Sequence, residues 1–165
     1  MKIIFIILAL CTLISCSLMT SNENGVYLKN KKIKITNFLN SNQDWYITPP
    51  SASDFAITHS KTHTILVLNS SCRTNDVNTN EQQVQGLIGS IESLTIHDKK
   101  TIQVHAREAI EIFAEGKIDG VKTYFLLTTF QKDFCTYDII MTHKNKSKVI
   151  AHYNDFQKFV SLLEI

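Results

Sequence analysis

The chain reads as an α+β domain, a twisted antiparallel β-sheet flanked by two helices. Three observations carry that reading. Short β-rich runs are divided by turn residues, most clearly Asp119-Gly120 between two alternating segments. Two stretches, about 79–94 and 154–164, repeat their apolar residues at helical spacing. The order is strands, a helix, a meander of strands and a closing helix, and packing helices on the faces of one sheet buries both kinds of apolar surface.

Taken in order, the first segment is a short cationic start, Met1-Lys2, followed by an apolar run from Ile3 to Ile14. A spanning helix needs about 20 apolar residues, so this run is too short and reads as an export signal. Residues 17–30 are polar and aperiodic, the pattern of a tether. Lys29, Lys31, Lys32 and Lys34 then alternate with Ile33 and Ile35. That pattern fits the solvent face of an edge strand, or a cationic patch against anionic lipid. Trp45-Tyr46-Ile47 is a β-prone piece stopped by Pro49-Pro50. It suits either a partner-binding lip or a Trp packed over the sheet edge.

Phe55–Thr58 and Thr64–Leu68 flank the tip His59-Ser60-Lys61-Thr62-His63 and predict a hairpin. Four consecutive apolar residues in the second arm predict a central strand covered on both faces. Thr79 and Gln82 form a capping box opening the first helix, whose stripe is Val84, Leu87, Ile88, Ile91 and Leu94. Gly86 and Gly89 weaken it while allowing close packing on a sheet. Ile102, Val104 and Ala106 share one strand face, and Ile110, Ile112 and Ala114 share one face of the next. Val121–Phe130 is a long β-rich strand, and the chain turns back over 131–134 into a strand from Cys135 to Thr142. Lys144–Lys148 reads as a basic loop. The last helix opens at Asn154, paired with Gln157, and carries Phe156, Phe159, Val160 and Leu163.

The apolar run ends in Leu13-Ile14-Ser15-Cys16. This tetrapeptide resembles the lipobox of bacterial lipoprotein precursors. The resemblance implies a signal peptide at 1–15, diacylglyceryl attachment to Cys16, a lipidated tether at 16–30 and a single globular domain at 31–165. A residue other than Asp after the cysteine, here Ser17, implies by the same resemblance an outer-membrane anchor on the periplasmic side. Cleavage after Ser17, which would release a soluble secreted form, and an uncleaved anchor are the competing readings. The order of elements, with Asp119-Gly120, Thr123-Tyr124-Phe125, Tyr137-Asp138 and the terminal helix, resembles the Mog1/PsbP-like α+β fold. None of that group's ligand sites carries over to residues of this chain.

The formal charge is +2, and the only arginines are Arg73 and Arg107. So weak a field, with so few guanidinium forks, argues against nucleic acid as partner. Of four cysteines, Cys11 leaves with the signal and Cys16 is the lipid site. Cys72 and Cys135 remain as an even pair in a disulfide-permissive compartment, and the expected bond closes a loop of roughly 64 residues. Two separate buried thiols are the alternative. If the bond forms, it carries Arg73 toward the strand of Asp138, where an Arg73–Asp138 ion pair would serve a mid-sheet carboxylate or a ligand. His59 and His63, four apart, flank the hairpin tip, where a metal would still need a third ligand. Exposed turn histidines are the plainer reading, and no metal or cofactor is expected.

No nucleophile elbow, His-Glu-x-x-His, P-loop or dinucleotide fingerprint occurs. The expectation is a non-catalytic accessory or adaptor domain, membrane-anchored in a bacterial envelope and working with an envelope protein. A small-molecule or metal carrier using a pocket between sheet and helix is the first alternative. A hydrolase is the second.

Overall fold

A computed structural model describes residues 21–22, 25–28, 31–33, 36–49, 53–72 and 78–163. Cys16 and Arg73, and with them the lipid site and the Arg73–Asp138 pair, lie outside the described residues. Two short strands, β1 (Ser21–Asn22) and β2 (Gly25–Leu28), fall within the stretch read as a tether. With β3 (Lys31–Ile33) they form a small antiparallel sheet in which β3 is an edge.

The main sheet has seven strands, all antiparallel: β4 (Trp45–Ile47), β5 (Phe55–His59), β6 (Ile65–Cys72), β7 (Glu92–Val104), β8 (Arg107–Ile118), β9 (Val121–Lys132) and β10 (Cys135–His143). Their spatial order is β4-β5-β6-β10-β9-β8-β7. The chain leaves β6 in mid-sheet, crosses to the far edge, and returns as the meander β7 to β10. The α+β expectation holds.

There are four helices among the described residues rather than two: α1 (Thr36–Ser41), α2 (Asn80–Ile88), α3 (Lys146–Ala151) and α4 (Tyr153–Leu162). The expected capping box is present, with Thr79 accepting from the Gln82 amide and Gln82 reaching back to the Thr79 amide. The helix stops six residues short of Leu94, because Gly89 caps it and the chain turns directly into β7. Ile91 and Leu94 still pack on the same cluster as Val84 and Ile88, which is why the stripe outruns the helix. The basic loop at 144–148 is also corrected. Asn145 accepts the Ser147 amide and starts α3. As a result the last helix opens at His152, not Asn154.

The two faces of the sheet bury different clusters. On one, Leu66, Leu68, Tyr137, Ile139 and Met141 meet Phe38 of α1 and Phe156, Phe159 and Val160 of α4. Burial of each Phe there contributes about 2–3 kcal/mol. The acidic side chain of Glu111 is buried on this face, but it accepts from Lys100 Nζ at 2.9 Å, Tyr153 Oη at 3.0 Å and the Gln157 amide. Those bonds tie α4 to β7 and β8, and Lys100 Nζ also donates to Tyr153 Oη at 3.0 Å; the Lys100 pKa is raised first by that bond and then by Glu111. On the other face, Ile110, Ile112, Ala114, Phe125 and Leu127 meet α2. This helix packs chiefly on β8 and β9. β6 is interior as expected but is covered on one face, since Leu66 and Leu68 are buried while Ile65 is exposed.

Cys72 and Cys135 are directly opposed on β6 and β10 and are disulfide-bonded, 63 residues apart in sequence. The bond encloses α2 and β7 to β9. Replacing both cysteines by alanine should lower stability by about 2–4 kcal/mol, read as a lower urea midpoint with an unchanged far-UV spectrum.

Candidate binding cleft and histidine clamp

The β8–β9 hairpin turns through Asp119 and Gly120, with φ of 51° and 75°, the two-residue geometry expected of Asp-Gly. At this end of the sheet the connection from α2 to β7 passes close over β8. Gly116 makes that possible, since a Cβ there would come within 2.3 Å of Ile91 Cγ2 and 3.1 Å of the Glu92 carbonyl. The connection therefore lies against the sheet, and beside it opens a cleft of about 450 Å³. Phe125, Leu127 and Ile140 form its floor, and Leu87, Ile88 and Ile91 its wall. Glu92, Lys117, Asp119 and Thr142 bring charged and polar groups to its rim, and Ile118 there is 42% exposed.

The apolar floor does not end at the cleft. Leu127, Ile140, Val67 and Ala56 are successive cross-strand partners on β9, β10, β6 and β5. The adjoining row runs Asn69, Asp138, Thr129, and Thr129 Oγ1 donates to Asp138. Burial pushes the Asp138 carboxyl pKa up, and the Thr129 bond partly offsets this. So Asp138 has a cross-strand hydroxyl partner in Thr129.

The hairpin-tip histidines do not face each other. His63 is exposed at a φ of 58°, whereas His59 is buried with Trp45 and His152. The centre of this cluster is Thr62, whose amide donates to His59 Nδ1 at 3.2 Å. Its carbonyl accepts from His143 Nε2 at 3.0 Å, and its hydroxyl is 3.0 Å from His152 Nε2. His152 Nδ1 and Trp45 Nε1 both donate to Asp155 Oδ2, at 2.9 and 3.1 Å. The chain Asp155–His152–Thr62 has the atom order of a nucleophile relay. However, Thr62 Oγ1 also contacts His59 Nδ1 at 3.0 Å and Thr64 Oγ1 at 2.9 Å. The neighbouring hollow is walled by Asp44, Trp45, His59 and Asp155, with Thr62 away from it. The arrangement is a clamp joining the β5–β6 tip to β4, β10 and the α3–α4 junction. Trp45 is thus packed at the sheet edge, and Tyr46 and Ile47 are the exposed part of the anticipated lip.

Sequence reasoning singled out Asp138, Cys72, Cys135, Trp45 and His59 but passed over Thr62, His143, His152 and Asp155. The one local signal was His152 three residues ahead of Asp155 at a helix start. No group of histidine, cysteine and acidic side chains able to hold a metal ion occurs among the described residues, and no helix among them is long and apolar enough to cross a membrane.

No family model and no curated protein matches the chain. Solved structures do. A protein of unknown function from Pseudomonas aeruginosa aligns with a TM-score of 0.54 at 10% identity, covering 73% of this chain and 81% of that one. The PsbP of the cyanobacterium Synechocystis sp. PCC 6803 aligns with 0.51 at 8% identity over 74% and 82%. LpqN of Mycobacterium tuberculosis, involved in cell envelope biogenesis, gives 0.48 at 10% identity over 72% and 75%. The fold is therefore PsbP-like, in line with the resemblance seen in the sequence.

The clamp gives the domain an acid-sensitive joint. Burial, then the charge of His152, lowers the His59 pKa, while Asp44 and Asp155 oppose this. Protonation at Nδ1 would also remove the acceptor for the Thr62 amide. Because the folded pKa lies below the unfolded value of about 6.5, the contribution is full above that pH and is lost as pH falls through the folded value. Thermal midpoints measured from pH 7.5 to 5 should fall for the wild type and fall less for His59→Gln.

Proposed function

We propose that this chain is a lipid-anchored accessory domain of a bacterial envelope, fastened through Cys16 and binding an apolar segment of an envelope protein in the cleft beneath α2. The cleft carries the reading. It is open, its floor and wall are apolar, and its rim supplies both charge signs to orient a bound segment. The lipobox at 13–16 supports the anchor, and the Cys72–Cys135 bond suits an oxidising compartment outside the cytosol. Ser17 favours the outer membrane, with the domain on the periplasmic side. An anchor confines a weak binder near its target and raises effective concentration without new contacts. The role needs no catalytic group, and the one relay-like set of side chains is engaged in the clamp. A carrier of a small apolar molecule is the second reading, favoured by a cleft volume within the range of about 300–1,000 Å³ usual for small-molecule sites.

Four measurements bear on this. Cys16→Ala should accumulate as uncleaved precursor, and mass spectrometry of the wild-type mature protein should find acyl chains on Cys16. A mature N-terminus elsewhere, without acyl chains, removes the anchor. Separately, Thr142→Trp should fill the cleft and abolish enhancement of anilinonaphthalene sulfonate fluorescence, with the thermal midpoint within about 3 °C of wild type. Unchanged dye binding would mean that the cleft is not the apolar site. Native mass spectrometry of protein extracted from membranes separates the two readings, since a retained small molecule favours the carrier.

A further inference from the structure

At the opposite end of the strands from the cleft, the β9–β10 hairpin turns through Asp133 and Phe134, with φ of 52° and 62°. This is the same two-residue, doubly left-handed turn that Asp119-Gly120 makes between β8 and β9. There the chain places glycine at the second position, as the geometry favours. The β7–β8 hairpin makes it with His105 and Ala106, at φ of 50° and 60°, and here the second position is phenylalanine, a bulky side chain that the left-handed region disfavours. The ring gains no burial in return. Phe134 is 81% exposed, the highest value among the large apolar side chains of the described residues. The tip is nonetheless held firmly, because the next residue, Cys135, is both cross-strand to Lys132 and disulfide-bonded to Cys72. A strained, exposed and braced aromatic is what a preorganised contact residue looks like.

Beside the ring lies a hollow of about 330 Å³, lined by Ser71, Asn78, Gln131 and Arg107 among others. Arg107 is exposed and makes no ion pair among the described residues. We propose that Phe134 and Arg107 form a second docking surface, for a protein partner that offers an apolar socket to the ring and a carboxylate to the guanidinium. Aromatic and arginine anchors are the side chains that dominate such contacts. A lipid bilayer fits less well. A single ring would enter it with the carboxylate of Asp133 alongside, and the polar hollow would face a flat surface. This surface stands apart from the cleft in position and in argument, so either can fail alone. Together they would let one domain bridge two partners.

The test has two arms. In purified full-length protein, Phe134→Gly should raise the thermal midpoint by about 3 °C or more, since it relieves the turn and loses no packing. A lower midpoint would show that the ring serves the fold and would overturn the proposal. In the source cells, a benzophenone side chain placed at position 134 should crosslink to one protein. That adduct should be lost with Arg107→Glu and kept with Arg107→Lys. An adduct indifferent to Arg107, crosslinking to lipid, no adduct at all, or Phe134-dependent flotation with phosphatidylglycerol vesicles would each overturn it.

Discussion

The ladder between β6 and β10 is the constraint on which the architecture depends. It runs from Cys72 opposite Cys135 to Ile65 opposite Thr142. Its two strands are separated by α2 and three long strands, so closing it orders more than sixty residues at once. Everything to one side of the ladder is the meander, and everything to the other is the β4–β5–β6 flap. Leu66 and Leu68 from one strand and Tyr137, Ile139 and Met141 from the other supply the floor on which α4 lies. The disulfide sits at the end of the ladder where the strands would otherwise fray. At the other end Thr62 and His143 take over the same task with hydrogen bonds. The sheet is thus secured by a covalent bond at one end and a titratable cluster at the other.

What was legible in the sequence was local. Asp119-Gly120 announces its turn, because few residue pairs tolerate two positive φ angles. Phe156, Phe159, Val160 and Leu163 define α4 because an amphipathic stripe needs only its own register. The cysteine pair was legible by elimination among four. The end of α2 was not, since Ile91 and Leu94 keep helical spacing while packing from outside the helix. That continuation also hid the first half of β7, whose His97-Asp98-Lys99-Lys100 lacks any alternation of polar and apolar residues. α1 and α3 are too short to leave a periodic trace.

The candidate sites were harder still. Thr62, His143, His152 and Asp155 come from three separate parts of the chain, and each looks like an ordinary surface residue until the ladder brings them together. The cleft depends on where α2 stops and on the missing Cβ of Gly116, neither of which has a sequence signature of its own. Asp138 was conspicuous because a carboxylate in mid-strand demands a partner. Thr129, which donates to it, is a cross-strand neighbour that pairing register alone determines.

The outermost strand of the meander has one more consequence. β7 is thirteen residues long and almost wholly exposed, and it is the last strand on its side of the sheet. A bare margin of that length is a template onto which another chain could add itself. Two irregularities in its pairing with β8, between Glu92 and Thr95 and between Ile96 and Asp98, twist the margin away from the straight geometry such growth requires. The twist accordingly hinders a second copy from pairing edge to edge along β7.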